Sequence, residues 1–156
     1  IAVRVPVFAK KAKRRLIAHR KFYFFDTGVY RTLRPKGPLD TPADIDGAAL
    51  ETLVLQEIMA MNHYTRSGYA VYFWRTASGH EVDIVLYGER GLIAIEVKRS
   101  QRVTTESLKG LEAFRDEYPM ARTYFVYGGD RKRWEGDTEI VPVEDFLKNL
   151  GALMRP

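Results

Sequence analysis

Residues 79–100, GHEVDIVLYGERGLIAIEVKRS, constrain the chain more than any other stretch. Two runs of apolar and β-branched residues flank Gly88-Glu89-Arg90-Gly91, and glycines bracketing a reversal predict a β-hairpin. Side chains alternate along a strand, so Val82, Ile84 and Leu86 are expected on one face, with Glu81 and Asp83 on the other. On the second strand Ile93, Ile95 and Val97 share one face, and Glu96 and Lys98 the other. A turn symmetric about Glu89-Arg90 sets Tyr87 opposite Leu92, Val85 opposite Ala94, Asp83 opposite Glu96, and Glu81 opposite Lys98. Like charges directly opposed, with Cβ atoms about 4.5–5.5 Å apart, repel. The Asp83–Glu96 pair therefore calls for a compensating cation. A bulge in either strand breaks this register.

The chain has 156 residues, which fits one domain with a sizeable core. It has no cysteine, which excludes disulfides, thiolate nucleophiles and zinc–thiolate sites and suits a reducing, cytoplasmic setting. No apolar run approaches the roughly 18 residues of a membrane span, and no signal peptide is visible. The net charge of +5 is unevenly placed: residues 1–36 carry +10 and the remainder −5. The densest positive run comprises Lys10, Lys11, Lys13, Arg14 and Arg15, followed by Arg20 and Lys21. Two readings stand side by side: an arm that contacts nucleic-acid phosphates, or a solvated linker from an upstream module. Residues 1–21 are thus expected to be a basic arm or linker, and residues 22–156 the folded domain. A start on Ile1 leads to the same expectation of a longer protein.

In chain order, Lys21 to Tyr30 reads as an aromatic strand ending at Asp26-Thr27-Gly28, and Arg34 to Ala43 as a Pro- and Gly-rich loop. From Asp46 to His63, Leu50, Leu53, Val54, Leu55, Ile58 and Met61 form an apolar helical stripe. Glu51 falls inside that stripe. A carboxylate there needs a partner, either a metal or an internal salt bridge such as one to Lys98. Tyr69 to Thr76 is a strand, the hairpin follows, and Thr104 to Tyr118 is a helix with Leu108, Leu111 and Phe114 inward. Gly110 within that helix costs about 1 kcal/mol relative to Ala, which points to close packing on the sheet. Ala121 to Tyr127 reads as a strand covered on both faces. Arg131 to Trp134 fits a solvated loop better than a nucleic-acid contact, and Glu144 to Leu150 is a short terminal helix. The order helix, three strands, helix, strand implies an α/β fold with a mixed central sheet flanked by helices.

Glu51, Asp83 and the Glu96-Val97-Lys98 triplet form an oxygen-rich set suited to a hard cation, and magnesium (or manganese) fits best. Three isolated histidines, His19, His63 and His80, give no zinc spacing. A protonated Lys98 beside these carboxylates can stabilise charge on a phosphoryl transition state or position a water.

Asp83, Glu96-Val97-Lys98 and the helix glutamate Glu51 resemble the PD-(D/E)xK nucleases, whose restriction-endonuclease-like core runs αβββαβ, as this chain does from about Asp46 to Tyr127. That resemblance implies Asp83, Glu96 and Glu51 as metal ligands and Lys98 as the catalytic lysine. Val82 stands where those nucleases often carry proline, and no Gln-x-x-x-Tyr occurs on the second helix. The segments KFYFFDTGVYRTL, GAALETLVLQEI, YFWRTASGHEVDIVL and LIAIEVKRS look like the domain of unknown function that follows an AAA-type ATPase module in many prokaryotic proteins. This second resemblance implies an upstream ATPase in the same full-length chain. No G-x-x-x-x-G-K-[ST] occurs here, so no nucleotide site is expected within these residues.

Two functions follow as expectations. One is a Mg²⁺-dependent DNA phosphodiesterase of endonuclease type, attached to the ATPase. The other is a catalytically idle DNA-binding or regulatory domain with the nuclease fold. A purely structural module that pairs with its own copy stands as a third reading, and homo-oligomerisation is left open.

Overall fold

The computed structural model describes residues 2–9, 20–24, 26–33, 37 and 41–154. In chain order these form β1 (Ala2–Val5), β2 (Lys21–Phe24), α1 (Thr27–Leu33), α2 (Pro42–Tyr64), β3 (Ala70–Arg75), β4 (Glu81–Gly88) and β5 (Gly91–Lys98). Then follow α3 (Thr105–Glu117), β6 (Arg122–Tyr127), β7 (Arg133–Glu135), β8 (Thr138–Pro142) and α4 (Val143–Met154). The expected αβββαβ order is α2-β3-β4-β5-α3-β6, in an α/β fold.

A six-stranded mixed sheet has the order β3-β4-β5-β6-β8-β7. Its β4 runs antiparallel to both β3 and β5, β6 lies parallel to β5 after the α3 crossover, and β8 lies parallel to β6. The two faces bury separate apolar clusters. On one, Val54, Leu55 and Ile58 of α2 and Phe146, Leu150 and Met154 of α4 meet Ile84, Leu86, Ile93, Ile95 and Val97. On the other, Leu108, Leu111 and Phe114 of α3 meet Val82, Val85, Ala94, Phe125 and Ile140. The central strands are therefore apolar on both sides, as their near-continuous hydrophobic runs require.

Local chemistry sets the helix starts. Thr41 caps α2 in a reciprocal box with Asp44, and Pro42 occupies the first turn, where its missing N–H costs nothing. The helix therefore begins four residues before the expected Asp46. Asp26 accepts the Val29 N–H at 2.9 Å and starts α1, so the aromatic strand ends at Phe24 and a helix follows it. At the other end of the fold, Arg133–Glu135 pairs with β8 as an edge strand and leaves Trp134 exposed, where a loop was expected.

Residues 2–9 belong to the fold. β1 pairs antiparallel with β2, from Ala2 opposite Phe24 to Val5 opposite Lys21. Val5 and Phe8 are buried, and the Phe8 ring packs 6.0 Å from Phe114 and 5.3 Å from Tyr118. The intervening backbone runs along the outer edge of β3: Phe73 N–H donates to Pro6 O (3.0 Å), and Phe8 N–H donates to Phe73 O (2.6 Å). Residues 2–9 and Lys21, assigned from charge to an arm, are thus seated on the domain. The physical reason is that Val5 and Phe8 carry apolar area into the core, which a count of charges does not register. Lys10, Lys11, Lys13, Arg14 and Arg15 lie outside the described residues, and Arg20 is exposed.

Candidate functional site

The hairpin holds its expected register through Tyr87 opposite Leu92, Val85 opposite Ala94 and Ile84 opposite Ile95. It does not carry on to Asp83–Glu96 or Glu81–Lys98. Against β3, Tyr72 pairs with Val85 but Trp74 pairs with Val82, so β4 contains one extra residue between these pairs. That bulge reverses the parity of the strand. Val82 falls on the α3 face with Val85, while Ile84 and Leu86 stay on the α2 face. Asp83 is thereby brought within reach of groups bound to α2. Strict alternation would have left it on the opposite side of the sheet from Glu51. Where the ladder stops, Asp83 Oδ2 accepts the Val97 N–H at 3.0 Å, so a carboxylate takes the place of a strand partner.

Four carboxylates and two ammonium groups define the site. Lys21 Nζ lies 3.1 Å from Glu51 Oε1 and 3.3 Å from Asp83 Oδ1, and also contacts Glu81 Oε1. Tyr23, two residues on along β2 and therefore on the same face, donates its hydroxyl to Glu51 Oε1. Lys98 Nζ bonds Glu96 Oε1 at 2.7 Å. Arg75 reaches the second oxygen of Glu81 at 3.4 Å. The internal salt bridge expected as one reading of Glu51 is present, but its cation is Lys21 and not Lys98.

Electrostatics follow from this crowding. Burial, and then the charge of Asp83, push the Glu96 carboxyl up to about 8, outweighing the adjacent Lys98. Burial and Asp83 also raise Glu51, opposed by Lys21 and by the Tyr23 hydrogen bond. Burial works against the charge on Lys21, but Asp83 and then Glu51 outweigh it and hold the ammonium above its ordinary value. Burial likewise opposes the charge on Lys98, and Glu96 and Asp83 overcome it. Tyr23 is raised by burial and by Glu51, which keeps its hydroxyl a donor.

Two glycines fix the backbone on either side. A Cβ on Gly110 of α3 would stand 2.1 Å from the Glu81 carbonyl oxygen, which accounts for a glycine inside a helix. A Cβ on Gly128 would stand 2.2 Å from Arg99 O, and Gly128 N–H donates to Lys98 O and Ser100 O at 3.1 Å each. Both close approaches lie next to site residues, one beside Glu81 and the other beside Lys98.

The donor set fits a hard divalent ion in chemistry, being all carboxylate oxygen. Glu96 is 6 % exposed, and its Oε2 is buried with no hydrogen-bond partner. A buried carboxylate oxygen without a donor is costly, and a cation would satisfy it. Among the described residues, however, no three Asp, Glu, His or Cys side chains form a ready metal cage. The Lys21 ammonium stands between three of the carboxylates.

Asp83, Glu96, Lys98 and Glu51 thus occupy one region, at the open end of the hairpin. Lys21, Tyr23 and Glu81 were not singled out for this site from sequence. The available signal was spacing: Lys21 and Tyr23 are two apart on one predicted strand, as are Glu81 and Asp83 on another.

The family model described as "Domain of unknown function (DUF4143)" matches residues 46–146. The chain belongs to the DUF4143 family. The DUF4143 match runs from the first turns of α2 into α4 and contains Glu51, Glu81, Asp83, Glu96 and Lys98, while Lys21 and Tyr23 precede it. No curated protein and no solved structure matches the chain.

Proposed function

We propose that this DUF4143 domain is a metal-dependent phosphodiesterase acting on DNA, with Asp83, Glu96 and Glu51 as the metal-binding carboxylates and Lys98 as the catalytic lysine. The observation that carries this reading is the unpartnered, buried Glu96 Oε2 beside Asp83 and Lys98. A bound Mg²⁺ or Mn²⁺ would polarise a phosphate oxygen and lower the pKa of a water. Lys98, held protonated by Glu96 and Asp83, supplies positive charge for the phosphoryl group in the transition state. Asp83 is oriented by the Val97 N–H, which leaves its other oxygen facing the site. Arg99, next to Lys98, is exposed, and with Arg31 it binds Asp46, giving positive charge along the approach for a phosphate backbone. Attachment to an upstream ATPase, reached by the basic segment around Lys10 to Arg20, belongs to the same proposal.

The test is conversion of supercoiled plasmid by the purified protein with Mg²⁺ or Mn²⁺, compared with Asp83→Ala and Lys98→Ala. Nicking by the wild type alone supports the assignment. Equal cutting by all three proteins sinks it.

A second reading is favoured by a specific contact, the ammonium of Lys21 bound to three carboxylates. It makes the domain a DNA-binding or regulatory unit of the ATPase that does not cut. Replacing Lys10, Lys11, Lys13, Arg14 and Arg15 with glutamine tests it without disturbing the buried Val5 and Phe8. Loss of a steep salt dependence of DNA binding, with no cleavage under any metal, selects this alternative.

A further inference from the structure

We propose that Lys21 is a tethered cation competing with a divalent ion for Glu51 and Asp83, so that ion binding among Glu51, Asp83 and Glu96 requires its ammonium to leave. The inference rests on the metal-binding reading above and adds to it a competitor, Lys21, which Glu81 also holds in place.

The contacts of Lys21 are those of a bound ion. Its Nζ faces one oxygen from each of three carboxylates contributed by two elements, Glu51 from α2 and Glu81 and Asp83 from β4. It also lies 5.6 Å from the centre of the Phe73 ring, which adds a cation–π contact. A carboxylate-bound Mg²⁺ needs oxygens at about 2.0–2.1 Å, and Glu51 and Asp83, which would supply them, are now bound to the ammonium. Two cations sharing that set repel strongly at separations of a few Å in a partly buried site. One must yield.

Lys21 has a way to yield. Its side chain is long, flexible and 24 % exposed, so the ammonium can swing toward solvent while the β1–β2 ribbon stays in place. The carboxylates sit on shorter side chains of α2 and β4, elements whose apolar residues pack in the core. Glu96 Oε2 supplies the independent sign that a ligand is missing while Lys21 is seated. It is buried and without a donor, and neither ammonium reaches it. A divalent ion drawing on Asp83 and Glu96 would satisfy that oxygen, which Lys21 in its present place does not.

The experiment measures Mn²⁺ uptake by the 156-residue protein from the free-ion EPR signal, for wild type, Lys21→Gln and Asp83→Asn. Lys21→Gln is expected to bind Mn²⁺ at least tenfold more tightly than wild type, and Asp83→Asn more weakly. A second measurement uses the wild type alone and does not depend on the variant folding. Labelling of Lys21 by an amine-reactive reagent, read by mass spectrometry, should rise severalfold at Mn²⁺ concentrations that EPR shows to be bound. Equal or weaker Mn²⁺ binding by a folded Lys21→Gln, or unchanged Lys21 labelling on ion uptake, overturns the competition and leaves the metal reading standing. Absence of Mn²⁺ uptake by every protein overturns both.

Discussion

Lys21 and Asp83, sixty-two positions apart in sequence, meet at 3.3 Å. The contact ties the ribbon at the N-terminal side of the chain to the bulged strand that carries the site. It makes one lysine responsible for neutralising carboxylates that burial has crowded together.

Removing that lysine should therefore cost stability. Lys21→Met leaves Glu51 and Asp83 without their cation, and an uncompensated buried charge is strongly destabilising. The Lys21 side chain is 24 % exposed, so solvent screens part of the effect, and a loss of about 1–3 kcal/mol is expected from urea unfolding. Adding Asp83→Asn should recover part of it. No change in the urea midpoint would mean that the contact contributes nothing in solution.

Glu96 sets a pH dependence of known sign. Its carboxyl ordinarily titrates near 4.5 and is raised to about 8 in the folded protein. Between those values the native state holds a proton that the unfolded chain releases. Stability without metal should accordingly be full below about pH 4.5 and fall as pH rises toward 8, where this contribution is lost. Glu51, shifted in the same direction, reinforces the trend. Urea unfolding in EDTA across pH 5–8 should show a slope of a few kcal/mol in total. Glu96→Gln should flatten it, and a wild type that gains stability over this range contradicts the assignment.

Gly110→Ala separates helix propensity from packing. In an exposed helix the substitution would gain about 1 kcal/mol. Here the new Cβ would lie 2.1 Å from the Glu81 carbonyl, so α3 or the start of β4 must shift. A net loss of about 1–3 kcal/mol in thermal unfolding is expected, typical of overpacking. A higher melting temperature would show that α3 does not approach Glu81 this closely.

On the proposed chemistry, Lys98→Ala should reduce DNA cleavage by about 10²–10³-fold, the usual effect of losing one charge-stabilising group. Lys98 is half-exposed and pairs only with Glu96 among the ion pairs of the described residues, so folding should change little. Single-turnover rates on labelled duplex, together with a circular dichroism melt, distinguish lost chemistry from lost structure.

Much of this arrangement was legible in the residues. Glycine spacing and β-branched runs located the hairpin and its turn-proximal register, and periodicity located α2 with Glu51 inside its stripe. Gly110 signalled the close approach of α3. The bulge was not legible, because an extra residue in β4 depends on what β3 and Val97 offer as partners. Nor was the role of Lys21. Charge density grouped it with Lys10 to Arg20, whereas its partners Glu51, Glu81 and Asp83 are distant in sequence and become neighbours only through tertiary packing. Val5 and Phe8 were masked in the same way by the basic residues around them.

The hydrogen bonds from residues 6–8 to Phe73 have a consequence for how the protein behaves in solution. An open edge strand is a template for pairing with another chain. β3 is the outer strand of the sheet on that side, and the Pro6 and Phe8 backbone takes up its Phe73 groups. A shortened protein beginning at residue 20 would lose this cover and expose the aromatic run AVYFWR to self-association. Such a fragment should scatter light and precipitate at concentrations where the whole chain stays dispersed. Residues 6–8 thus close this edge of the sheet as a guard strand would.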